Sequence, residues 1–194
     1  GRKPGRDPIR RGPAASPAVR LKMPVTTPYN AEWVFSFLAK RSIPGLESVE
    51  ALTYTRHDPA GDTVVRFDDD KLVVAIPVAR LGQTAAVFER VRAVFDPAAP
   101  SADIDGDLGQ SRILARSVRA ASGIRVPGVW DPFEGAVRAI FGQQVSVERA
   151  RRLAVALVEA EGGFPGAARV AEMEVAALGM PGVRGRAVST VAHL

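Results

Sequence analysis

The hydrophobic pattern of this chain changes period once. Between about residues 20 and 97, short runs rich in β-branched and aromatic residues are interleaved with two stretches of helical period. Beyond Pro100 the strand pattern disappears and the apolar residues follow helical spacing. Such a sequence predicts an α+β protein: a small N-terminal antiparallel sheet domain with two helices, followed by an all-α domain. The domain boundaries predicted are 1–20 for a basic leader, 21–100 for the sheet domain and 101–194 for the helical domain.

In the first half, residues 21–25 form a first strand. Asn30 is a good N-cap for a helix reaching about Arg41, in which Trp33, Val34, Phe37 and Leu38 make one apolar stripe before Pro44-Gly45 stops it. Runs 49–56, 63–67 and 72–78 are predicted strands, separated by turn residues at 59–61 and 68–71. Residues 84–95 give a second helix through Val87, Val91, Val94 and Phe95, so the order is β-α-β-β-β-α.

In the second half a helix is predicted over 108–121. Asp131 at N-cap, Pro132 at N1 and Glu134 at N3 then start another, since both carboxylates are able to accept orphaned backbone N–H groups. Its apolar face is Phe133, Val137, Ile140 and Phe141. Ser146 caps the next helix, 147–161, which keeps Glu148, Arg149, Arg151 and Arg152 on its wet side.

Charge and residue usage narrow the function classes. Of the formal +5, residues 1–22 hold +6, with seven basic side chains against Asp7, which leaves −1 for the remainder. Basicity therefore belongs to a Pro/Gly/Arg-rich leader with the composition of a solvated linker. Zero cysteines exclude disulfides, thiolate metal sites and a cysteine nucleophile; two distant histidines give no zinc site, and neither metal nor cofactor is expected. No apolar run reaches the roughly 18 residues of a membrane span, which predicts a soluble, cytoplasmic protein without a membrane partner. The chain lacks an initial Met and stops in mid-pattern at Leu194, so both ends read as cut. The acidic groups Asp68-Asp69-Asp70 and Asp103, Asp105, Asp107 read as a strand turn and a linker, and the latter lacks the later glutamate of a calcium loop.

Between the last two long helices lies Gly142-Gln143-Gln144-Val145-Ser146. Two adjacent amides on a tight turn between rigid helices have two readings: a polar surface loop, or groups that read base edges or fill the space left by an extruded nucleotide.

Trp130-Asp131-Pro132-Phe133-Glu134, Val137-Arg138-Ala139-Ile140 and the Gly142–Ser146 loop together resemble the helix-loop-helix signature of AlkA-type 3-methyladenine DNA glycosylases, of the helix-hairpin-helix superfamily. Leu178-Gly179-Met180-Pro181, Tyr29, Phe37-Leu38-Ala39 and Arg41 to Gly45 resemble further landmarks of that family, over about residues 20–194. The resemblance implies base-excision repair of double-stranded DNA: an alkylated purine is flipped out and its N-glycosidic bond hydrolysed, without a cofactor, by a monomer. It implies that Phe37 lines the base pocket, Gln143 faces the extruded nucleotide and Gln144 is the wedge, with Val145 and Ser146 in the DNA-contact loop. It also implies a phosphate-gripping hairpin and a catalytic Asp, both expected beyond Leu194, so the fragment is expected to be inactive alone. Residues 180–185 imitate the hairpin, but Arg184 stands where its second glycine belongs, and Pro181 reads instead as helix N1. The leader, through Arg10-Arg11-Gly12, resembles the end of an AraC-type domain of the kind that precedes the glycosylase in fused alkylation-response regulators. Rival readings are a non-catalytic DNA-binding or regulatory module, and a structural α+β protein.

Overall fold

The computed structural model describes residues 17–173 and 182–193. The leader as far as residue 16 and the helix start assigned to Pro181 lie outside them. Five strands, β1 (Ala18–Pro24), β2 (Glu47–Glu50), β3 (Thr53–Arg56), β4 (Thr63–Asp68) and β5 (Lys71–Pro77), form an antiparallel sheet in the order β1-β5-β4-β3-β2. Register places Leu21, Val74, Val65, Tyr54 and Val49 in one row across all five. Alternation does the rest: this row and its two-residue neighbours Met23, Leu72 and Ile76 face the core.

Two helices cover that face. In α1 (Ala31–Arg41), the Asn30 side chain accepts from the Trp33 N–H at 3.0 Å, and Val34 and Phe35 are buried. In α2 (Thr84–Phe95), Val87, Val91, Val94 and Phe95 form the buried stripe, and the Tyr29 hydroxyl donates to the Phe95 carbonyl at 3.0 Å. The run 49–56, expected as one strand, is two. Ala51 takes φ 48° and the flanks pair as a hairpin, a turn that carries no glycine, proline or asparagine to announce it. Val78, expected in the last strand, begins a 3-10 turn (Val78–Gln83).

Beyond the sheet lie α3 (Ser101–Gly109), α4 (Ala115–Ala120), α5 (Pro132–Gly142), α6 (Val147–Glu161), α7 (Ala167–Ala171) and α8 (Gly182–Ala192). The single helix expected over 108–121 is instead the end of α3, a bend at 110–114 and α4. Asp103, Asp105 and Asp107, expected in a linker, sit on α3, because Ser101 fastens its start by donating to the Pro28 carbonyl at 2.7 Å. The Asp105 carboxylate accepts from the Ser122 hydroxyl and the Gly123 N–H, each at 2.7 Å.

Arg125 ties this segment to the sheet. Among the described residues its buried guanidinium meets no carboxylate, donating to the carbonyls of Asp96 (2.9 Å), Pro28 (3.2 Å), Gly123 (3.1 Å) and Thr26 (2.5 Å), over the Tyr29 ring. Four carbonyl oxygens take the place of water around a cation that would otherwise be too costly to bury. Trp130 completes the first core.

A second core forms among α5, α6, α7 and α8, from Val137, Ile140, Phe141, Leu153, Leu157, Val158, Val170 and Val188. Ile43 and Leu46, from the link between α1 and β2, are buried in this second core. The sheet half therefore contributes apolar surface directly to the helical half. Among the described residues no helix is long and apolar enough to cross a membrane.

Candidate functional site

A cavity of about 320 Å³ opens where α1, α5 and α6 meet the sheet. Phe37, Leu38 and Arg41 of α1 form one wall; Val147, Ala150 and Arg151 of α6 another; Glu47, Tyr54, Trp130, Glu134 and Arg138 lie at its base. It is mainly apolar and aromatic, with a few charged groups converging at one end, the chemistry of a small-molecule or nucleobase site.

The charged end is a network that no single segment of sequence announces. Glu134, 3% exposed, accepts from Arg56 at 3.1 and 2.5 Å and pairs with Arg138 at 2.6 Å. Glu47 pairs with Arg138 at 2.8 Å and accepts from the Tyr54 hydroxyl at 2.7 Å. Arg56 also lies 3.6 Å from Glu47. Two carboxylates thus meet two guanidiniums, and the cluster is neutral. The network bridges the halves of the molecule, since Glu47, Tyr54 and Arg56 come from β2 and β3 while Glu134 and Arg138 come from α5.

Burial on its own would lower the Arg56 pKa, but the hydrogen bonds and charge of Glu134, backed by Tyr54 and Glu47, outweigh it and hold the guanidinium above its ordinary value. Burial pushes the Tyr54 hydroxyl well above the usual phenol range, and the Glu47 charge adds to it. The carboxylates at the cavity are therefore committed to ion pairs. Among the described residues the buried Arg138 Nε has no hydrogen-bond partner.

Glu134 was expected to reach back to the start of its own helix. Asp131 does cap α5, accepting from the Glu134 N–H at 3.0 Å, but the Glu134 side chain turns inward to the arginines, because two charge-assisted bonds outweigh one to a backbone N–H. Two signals in the sequence pointed here. Arg56 stands two residues from Tyr54 on a strand, hence on the same inward face, and Arg138 stands four residues after Glu134.

Phe37 and Val145 line the cavity, whereas Gln143, Gln144 and Ser146 are exposed beside it. Gln143 ends α5, and its carbonyl accepts from Arg184 of α8 at 2.7 Å. Gln144 holds φ 56°, the left-handed region where a side chain is uncommon. The Ser146 hydroxyl caps α6 by accepting from the Arg149 N–H at 3.2 Å. The loop is thus tied at Gln143 and at Ser146 while the two glutamines between and beside these ties are exposed. Of the arginines noted on the wet side, Arg151 donates to the Ser42 carbonyl at 2.6 Å and Arg152 pairs with Glu148 at 2.9 Å. Asp68, Asp69 and Asp70 are exposed around the β4–β5 turn. Among the described residues no group of three or more His, Cys, Asp or Glu gathers as a metal would require.

Residues 20–131 match the family model of the AlkA N-terminal domain. A protein of Mycobacterium tuberculosis described as "Probable bifunctional transcriptional activator/DNA repair enzyme AlkA" is 31% identical over 196 aligned positions, gaps included, covering 92% of this chain and 39% of that protein. DNA-3-methyladenine glycosylase 2 of Escherichia coli is 29% identical, over 86% of this chain and 64% of its own length. The chain therefore spans less than two thirds of either relative. In fold it is similar to a 3-methyladenine DNA-glycosylase from Archaeoglobus fulgidus, with a TM-score of 0.74 at 17% identity, covering 90% of this chain and 66% of that one. It is also similar to MBOgg1 solved with a low-affinity DNA ligand, with a TM-score of 0.56 at 17% identity over 73% of this chain and 51% of that one.

Proposed function

Because the chain belongs to the AlkA N-terminal domain family, we propose that it is the lesion-recognition part of a DNA-3-methyladenine glycosylase, acting as a monomer on double-stranded DNA that contains alkylated bases. The observation that carries this is the placement of the Gly142–Ser146 loop at the rim of an aromatic cavity. In this reading Gln144 enters the duplex, Gln143 faces the displaced nucleotide, and Val145 and Ser146 lie against the backbone. The extruded base enters the cavity beside Phe37. Flipping costs a few kcal/mol of stacking and is cheapest for damaged bases. N-alkylation gives the purine a positive charge, which makes it a better leaving group and draws it to aromatic faces.

Hydrolysis of the N-glycosidic bond needs a carboxylate that meets the developing sugar cation. Glu47 and Glu134 are both held by arginines, so we assign them to shaping the cavity. This chain recognises, and the catalytic carboxylate is not among its cavity residues.

The test is binding of a duplex carrying an abasic-site analogue against the same duplex undamaged. The wild type is expected to prefer the abasic-site duplex and to lose affinity as salt rises. Gln144→Ala is expected to reduce the preference more than binding to the undamaged duplex, and Phe37→Ala to weaken binding of an extrahelical base. Equal loss on both duplexes for Gln144→Ala refutes the wedge assignment. Release of methylated purines from alkylated DNA by this chain alone refutes the division between recognition and catalysis.

A further inference from the structure

Phe37, the ring assigned above to stacking with an extruded base, is already in use. One helical turn before it, Trp33 stacks at a centroid distance of 5.3 Å and 25°. One turn after it, the Arg41 guanidinium carbon lies 3.7 Å from the ring centroid. Residues four before and four after flank a helical side chain from opposite directions along the axis, so the two neighbours occupy its two faces. The two are not equally fixed. Trp33 packs against the first core, whereas Arg41 is exposed. Among the described residues Arg41 meets no carboxylate; its partners are the Phe37 ring and, at 3.4 Å, the Phe37 carbonyl. The other cavity arginines are fastened, Arg138 by two carboxylates and Arg151 by the Ser42 carbonyl. Arg41 has the least to lose by moving.

We propose that Arg41 is a gate on the base cavity: its guanidinium holds the mobile face of Phe37 in the empty protein, and an entering base displaces it before stacking. The inference rests on the base-cavity reading of the preceding section. A guanidinium on an exposed aromatic face corresponds to about 2- to 5-fold in an equilibrium constant. A neutral base that displaces it gains stacking and forfeits that factor. A cationic alkylated base forfeits the same factor and regains it, because it brings a positive charge of its own to the ring. The gate therefore lowers occupancy by every base, and the weakly held neutral ones fall below useful binding first. Arg41 acts in this way on the threshold of binding, leaving the ratio between bases to the stacking itself.

The experiment is an NMR titration of arginine-labelled protein with adenosine and with the cationic 1-methyladenosine. In the free wild type, the Arg41 Nε–H signal is expected upfield by ring current, returning to the solvent position in Phe37→Leu. Arg41→Ala and Arg41→Gln are both expected to bind the two nucleosides about 2- to 5-fold more tightly than wild type, with the ratio between nucleosides unchanged. Unchanged or weakened affinity in both variants overturns the gate, as does an Arg41 signal at the solvent position in the free protein. An upfield Arg41 signal together with no binding of either nucleoside by any variant overturns the base-cavity reading itself, and the gate with it.

Discussion

Glu134→Gln changes one charge and almost no volume, which isolates the electrostatics of the buried network from any cavity effect. In the native cluster Glu47 and Glu134 offset Arg56 and Arg138. After the substitution Glu47 alone faces two guanidiniums, so a site that is 3% exposed at Glu134 and 8% at Arg56 carries one uncompensated positive charge. The new amide also turns a donor toward guanidiniums that can only donate. Removing one partner of a buried pair costs about 3–5 kcal/mol. The Arg138 side chain is 24% exposed, so solvent takes up part of its share and the expectation is the lower end, about 3 kcal/mol. For a chain of this length that lowers Tm by about 6–12 °C, read by far-UV circular dichroism. The decisive comparison is the double variant Glu134→Gln with Arg56→Met. Replacing a buried pair by apolar groups is often neutral, so the double variant should be less destabilised than the sum of the single effects by at least about 1 kcal/mol. A Glu134→Gln protein within about 1 kcal/mol of wild type, or a double variant whose loss equals the sum, refutes the reasoning.

Gln144 holds a left-handed backbone that glycine adopts freely, so Gln144→Gly is expected to raise stability by about 1 kcal/mol in urea unfolding while weakening the preference for abasic-site DNA. Arg125→Met leaves the carbonyls of Thr26, Pro28, Asp96 and Gly123 without their shared donor, and a loss of about 2–4 kcal/mol is expected by the same measurement. The two tyrosines, Tyr29 and Tyr54, are both raised in pKa, by burial first and then by Asp96 for Tyr29 and Glu47 for Tyr54, with Arg125 and Arg56 opposing. Each stays protonated when folded at a pH where the unfolded chain ionises. Their contribution is therefore intact below about pH 10 and is lost as pH rises above it. Absorbance near 295 nm should consequently rise together with loss of ellipticity; a tyrosine that titrates at its ordinary pH in folded protein contradicts the assignment.

The change of hydrophobic period near Pro100 reported two regimes of packing, and the α+β order follows from it. Caps were also legible, because Asn30, Asp131 and Ser146 act through local backbone N–H groups, within three residues of themselves. The hairpin at Ala51 was not, since its left-handed residue is an alanine held there by pairing on both sides. Nor was the bend between α3 and α4, where helical spacing continues past the point at which the backbone departs from it. The base of the cavity was hidden for a different reason. Glu47, Arg56 and Glu134 are brought together only by the sheet and by the docking of α5, and a separation of 78 residues between Arg56 and Glu134 leaves no local pattern. Phe37 and the Gln143–Gln144 loop stood out because they belong to one contiguous motif or one helix stripe; Arg41 over the Phe37 ring depends on a rotamer, which sequence spacing permits without requiring.

The neutral count of the buried cluster has a consequence for how this protein changes over generations. Each single substitution that removes a charge among Glu47, Arg56, Glu134 and Arg138 leaves a net charge in a buried site, while losses that restore neutrality need two changes together. The base of the cavity is therefore difficult to alter one step at a time. Gln143, Gln144 and Arg41 are exposed and carry no buried counter-charge, so each is replaceable singly. Divergence in the bases a descendant accepts is expected to begin at the rim and at the gate, with the floor following only in paired steps.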